Sequence, residues 1–118
     1  MEKTMKDFLN DSKNLWIRKA YFYIIKFENE QNLYKYGITT DFAQRKANLK
    51  QEWKSRNIEI IIETLALIPM QSFAKAIIIE SKVRLKLLTK KIQLFGNDYF
   101  ETDDIEKTLN IIQNIIEK

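Results

Sequence analysis

Four side chains in this sequence are of types that could do chemistry together: Tyr23, Lys35, Arg45 and Glu80. Tyr23 and Lys35 lie on two neighbouring runs rich in aromatic and β-branched residues. With alternation of period two, Tyr21, Tyr23, Ile25 and Phe27 share one face of the first run, and Leu33, Lys35, Gly37 and Thr39 share one face of the second. Where those faces coincide, a phenol meets an ammonium beside Gly37, whose missing side chain leaves room for approach to the backbone. Arg45 borders an apolar stripe, so its stem can follow the core while its guanidinium enters a cleft. Glu80 falls in the middle of a stripe of Phe73, Ile77, Arg84, Leu87 and Leu88. A carboxylate there is costly without a positive partner. Arg84, Arg45 and a divalent metal ion are the candidates. A phenol, an ammonium, a guanidinium and a carboxylate can between them move a proton, hold an anion and hold a hard cation.

The elements that must position them follow from pattern and punctuation. Residues 21–27 and 33–39 are strand-length runs separated by Glu28-Asn29-Glu30-Gln31-Asn32, which predicts an antiparallel hairpin. Thr39-Thr40-Asp41 offers cap chemistry for a helix over 41–56, with Phe42, Leu49 and Trp53 on its inward stripe. Residues 58–66 read as a third strand closed by Pro69, and a helix follows from Met70 or Ser72 to Lys90. Gly96-Asn97-Asp98 reads as a turn before the aromatic pair Tyr99-Phe100. A last helix begins at a Thr102 or Asp103 cap and carries Ile105, Leu109, Ile112 and Ile116 inward. The expectation is an α+β domain over 20–118: a three-stranded antiparallel sheet flanked by helices, in the order β-β-α-β-α-α. Residues 1–19, with Met5, Phe8, Leu9, Leu15 and Trp16, predict an N-terminal helical extension that packs on the core or mediates dimerisation.

Composition narrows the field. A chain of 118 residues holds one domain, and 45% hydrophobic content argues for an ordered core. The absence of Cys excludes disulfides and thiolate-bound metal; the absence of His excludes imidazole acid–base chemistry and His-ligated zinc. A net charge of +4 is compatible with a nucleic-acid partner without requiring one. No apolar run reaches membrane-spanning length, and Met1 to Asp7 is too polar for a signal peptide, so the expectation is a cytoplasmic protein.

The segment Tyr21-Phe22-Tyr23, then Lys35-Tyr36-Gly37-Ile38-Thr39, then Arg45 eight positions after Gly37, resembles the GIY-YIG endonuclease superfamily. It is most similar to a small phage and bacterial branch whose second motif reads Lys-x-Gly-x-Thr. Glu80 matches that family's helical glutamate. Tyr21 stands where the first motif usually opens with Gly, and Lys35 where the second usually opens with Tyr. The resemblance covers about residues 20 to 116. It implies a small endonuclease that cuts DNA (RNA not excluded) with a single Mg²⁺ or Mn²⁺ ion, in a bacterial cell or a phage-infected host. In the implied roles Tyr23 is the general base, with Tyr21 as its substitute, Lys35 lowers the phenol's pKa, Arg45 stabilises the transition state and Glu80 holds the metal. Tyr36, Thr39, Lys46, Lys50 and Asn97 would contact nucleic acid. Target choice would come from substrate shape, dimerisation or a partner protein, with no membrane involved. Two alternatives stand beside this reading: a nucleic-acid-binding module of the same fold without turnover, and a phage or host protein-interaction module.

Overall fold

The computed structural model describes residues 4–7, 17–96 and 98–117. Ala20–Phe27 forms β1 and Leu33–Thr39 forms β2, an antiparallel hairpin in which Tyr23 faces Gly37 and Ile25 faces Lys35. The loop between them ends on Asn32 at φ 59, a left-handed conformation that Asn tolerates better than most residues. The hairpin therefore lies where its aromatic runs and polar break place it.

The sheet has five strands rather than the three the sequence predicts, in the order β3-β1-β2-β5-β4, antiparallel throughout. The two additional strands, β4 (Gln93–Phe95) and β5 (Tyr99–Glu101), flank the turn at Gly96. Gly96 has φ 62, so the turn requires a left-handed residue there. β5 extends the sheet by pairing with Leu33 to Lys35 of β2. The third strand of the sequence reading is also displaced: β3 spans Ile62–Met70 and runs through Pro69 instead of ending before it. Pro69 is tolerated because β3 is an edge strand, where a missing N–H breaks no ladder on the open side. Residues 58–61 stay outside the strand because Asn29 holds them, donating to Glu59 O at 3.3 Å and accepting from Ile61 N at 3.4 Å. Leu65 is an extra residue opposite the Ile24/Ile25 step, a bulge in β3.

Three helices are described. α1 (Phe42–Lys54) is capped by Asp41, whose carboxylate accepts from Gln44 N at 3.1 Å. α2 (Phe73–Thr89) is capped by Ser72, which accepts from Lys75 N at 3.1 Å. It ends with Ile92 N bonded to Leu87 O, and Lys91 occupies the left-handed position at φ 60 where glycine is commoner. α3 (Ile105–Glu117) takes its cap from Asp104, two residues beyond Thr102: Asp104 Oδ1 accepts from Lys107 N at 3.1 Å. Among the described residues no helix is long and apolar enough to cross a membrane.

The sheet has a core on each face. On one side Phe22, Ile24, Tyr34, Tyr36 and Phe100 pack against Ala76, Ile79, Val83 and Leu87 of α2 and Ile112 of α3. On the other, Tyr23, Ile25 and Phe27 pack against Leu49, with Phe42 and Trp53 of α1 around them. The inward stripe of α2 is thus Ala76, Ile79, Val83 and Leu87, while Arg84 and Leu88 are exposed. This corrects the predicted stripe and moves Glu80 from its centre to its border. Of the predicted N-terminal helical extension, Thr4 to Asp7 and Ile17 to Lys19 are described. Met5 to Asp7 are helical, and Thr4 and Asp7 exchange side chain to backbone bonds of 3.0 and 3.3 Å. Phe8, Leu9, Leu15 and Trp16 lie outside the described residues.

Candidate active site

Tyr23 is placed by β1 and locked by its surroundings. Its ring lies 5.3 Å from that of Phe42 in α1, and its hydroxyl reaches over Gly37 of β2. A Cβ on Gly37 would stand 2.5 Å from Tyr23 Oη and 2.7 Å from Cζ. The ring has no room to retreat because Tyr23 is buried. Gly37→Ala is therefore expected to destabilise the fold by about 1–2 kcal/mol, the cost of forcing a methyl into a filled site. Urea denaturation checks this: a Gly37→Ala/Tyr23→Leu double variant should be more stable than the sum of its two single changes, since shortening the ring frees the space.

Burial pushes the Tyr23 phenol well above its ordinary pKa. Arg45 pulls it down, while Asp98, Tyr99 and Glu80 push it up further. Lys35, expected to activate this phenol, has a partner of its own. Lys35 shares Tyr23's face as the alternation requires, but its buried ammonium is bonded to Asp98 Oδ2 and lies 4.8 Å from the centre of the Tyr99 ring. The ammonium is thus paired with a carboxylate, and its charge bears on Glu80.

Glu80 rises from the α2 side of the sheet. It lines a cavity of about 530 Å³ with Tyr36, Ser81, Arg84 and Asp98. Its carboxyl pKa is raised first by burial and then by Asp98, and is pulled back by Lys35 and Arg45. No ion pair or hydrogen bond with a described residue engages its carboxylate, so the expected pairing with Arg84 is not made. Arg45 is exposed at the border of the inward stripe of α1, and Tyr23 and Glu80 both feel its charge. Neither Tyr23 nor Arg45 lines the cavity itself. Tyr23 lies on the α1 side of the sheet and Glu80 on the α2 side, so they bear on each other as charges and do not share the walls of one pocket.

The remaining candidates divide. Tyr21 is half-buried on the Tyr23 face, opposite Thr39 and Pro69. Tyr36 lies on the other face, stacked 6.1 Å from Phe22, and burial followed by Glu80 pushes its phenol up to about 12. Thr39 is committed to the turn before α1, donating to Asp41 O at 3.0 Å and accepting from Asp41 N at 3.1 Å, which leaves it little to offer a phosphate. Lys46 lies 4.9 Å from the Phe42 ring centre, and Lys50 is exposed on the same helix. Asn97 lies outside the described residues.

Sequence reasoning passed over Asp98. Its carboxylate holds Lys35, its carbonyl accepts from Tyr36 N at 3.0 Å, and its charge bears on both Tyr23 and Glu80. Tyr99 was missed as well; its hydroxyl accepts from Trp53 Nε1 at 3.2 Å and ties β5 to α1. An acidic residue in a Gly-Asn-Asp turn carries no periodic signal, and only the pairing of β5 with β2 brings it here. Compared with known protein families, curated proteins and solved structures, the chain matches none.

Proposed function

We propose that this chain is a divalent-metal-dependent endonuclease of the GIY-YIG type that hydrolyses phosphodiester bonds in DNA. One observation carries the reading. A phenol, a guanidinium and a carboxylate with no hydrogen-bond or ion-pair partner among the described residues lie within one another's electrostatic influence, whereas the neighbouring ammonium is paired with Asp98. Ionisable groups that bear on one another and have no partner among the described residues are candidates for engaging a ligand.

The donor set suits a hard cation that keeps most of its water: Glu80 presents a free carboxylate oxygen, and Asp98 beside it adds negative charge. Such an ion, when bound, neutralises charge on the phosphate and lowers the pKa of attached water. Arg45 places a planar cation where two phosphate oxygens can be bridged, its value growing with the negative charge of the transition state. Tyr23 accepts the proton of the attacking water. Because its phenol is held protonated at neutral pH, the rate should climb with pH as the phenolate fraction grows. Lys46 and Lys50, on the helix that carries Arg45, track the strand.

The test is incubation of the chain with supercoiled plasmid and Mg²⁺ or Mn²⁺. Appearance of nicked circles, faster at alkaline pH, supports the reading; a folded chain that leaves single- and double-stranded DNA and RNA intact with every divalent metal rejects it. The strongly raised phenol pKa favours a second reading, a DNA-binding module without turnover. That version retains salt-sensitive binding and never nicks.

A further inference from the structure

We propose that the groove between α2 and α3 is a docking site for an acidic amphipathic helix of another protein. Its volume is about 610 Å³, and its floor and walls include Leu85, Ile111 and Ile115 with Lys82, Lys86 and Lys90. No carboxylate is among the described residues that line it. Leu85 is 67% exposed and Ile78, seven residues earlier on the same ridge, is 55% exposed. Large aliphatic side chains this open on a helix that has already buried Ala76, Ile79, Val83 and Leu87 against the sheet form a second apolar face.

Shape and charge together select the occupant. Two packed helices leave a trough that fits a third helix, whose apolar residues at i, i+3 and i+7 would enter between the branched side chains. Lysines along the trough favour glutamates and aspartates on the flanks of that helix. A nucleic-acid backbone would use the lysines and leave the leucine and isoleucines wet. A bilayer surface suits a protruding apolar face better than a concave one. Among the described elements none fits: α1 is itself basic, and the apolar side of α3 is spent on the core through Ile112, Leu109 and Ile116. The groove is separate from the candidate active site, because Leu85 is five residues from Glu80 and so about 140° around the helix.

The probe is a fluorescein-labelled synthetic helix with glutamates on one side and leucines on the other, titrated with the full chain; the control is the same composition scrambled. Saturable binding of the amphipathic peptide alone is expected, weakened at least about tenfold by Leu85→Glu and by Lys82→Glu/Lys86→Glu. Thermal unfolding and plasmid nicking should not change in these variants, since the three side chains are exposed. Equal binding of the scrambled peptide, or variants that bind like the parent chain, overturns the proposal. So does binding of duplex DNA or phosphatidylserine vesicles that these variants abolish while the peptide is unaffected.

Discussion

Arg45→Ala and Glu80→Gln should each slow the nicking of supercoiled plasmid by about 10²–10³-fold, the loss typical when one preorganised charge is withdrawn from a transition state. Their effects on stability should differ. Arg45 is exposed, and its truncation should leave the unfolding midpoint almost unmoved. Glu80 should behave in the opposite sense from a structural residue. Its folded-state pKa is raised, by burial first and Asp98 second, so the folded chain binds this proton more tightly than the unfolded chain does. The associated stabilisation is complete below the unfolded value of about 4.3 and is lost as pH rises through the folded value. At pH 7–8 the ionised carboxylate therefore burdens the fold. Glu80→Gln should melt at a higher temperature than the parent chain there, and the difference should shrink to nothing below about pH 4. A variant that is inactive yet more stable would identify Glu80 as a residue kept for chemistry. If Glu80→Gln instead melts lower at neutral pH, the carboxylate is structural and the proposed metal site loses its foundation.

The second large effect concerns Lys35 and Asp98. Asp98→Asn should cost about 2–3 kcal/mol, because it strands a buried ammonium whose remaining support is the Tyr99 ring. Asp98 is itself a third exposed, which keeps the loss at the lower end of what a buried pair can cost. Lys35→Met should cost no more than about 1 kcal/mol, since removing the charge leaves a carboxylate that water can reach. Lys35→Met should also retain nicking within about threefold if the ammonium acts on Asp98 and not on Tyr23. Chemical denaturation and initial nicking rates on the same preparations decide the matter. Complete loss of cleavage in a stably folded Lys35→Met would restore the direct role that the sequence suggested.

Much of the scaffold was legible because its signals are local. The aromatic runs around residues 28–32 specify a hairpin, and Asp41 and Ser72 specify helix starts, through contacts no more than a few residues long. The misplaced parts depend on distant partners. β4 and β5 are three residues each, too short for a period to register, and exist because β2 offers β5 an edge. The start of β3 is set by the side chain of Asn29, about thirty residues away, so an apolar run from Ile58 onward gave the wrong frame. In α2, three consecutive isoleucines at 77–79 and leucines at 85, 87 and 88 allow more than one apolar stripe. Only packing against the sheet chose the one through Ile79 and Val83. For the candidate site, residue types were readable, but the commitment of Lys35 to Asp98 was not, since it spans two elements of which one was unforeseen.

The β3 edge of the sheet also governs how these molecules tolerate crowding. Along β3 a would-be recruit meets Leu65 out of step and then the imino nitrogen of Pro69, with Glu63 projecting beside them. Few consecutive amides remain in line for templating on β3, and β4 at the other edge is only three residues long, so a concentrated solution has no easy seed for fibrous growth and self-association would have to use side-chain surfaces instead.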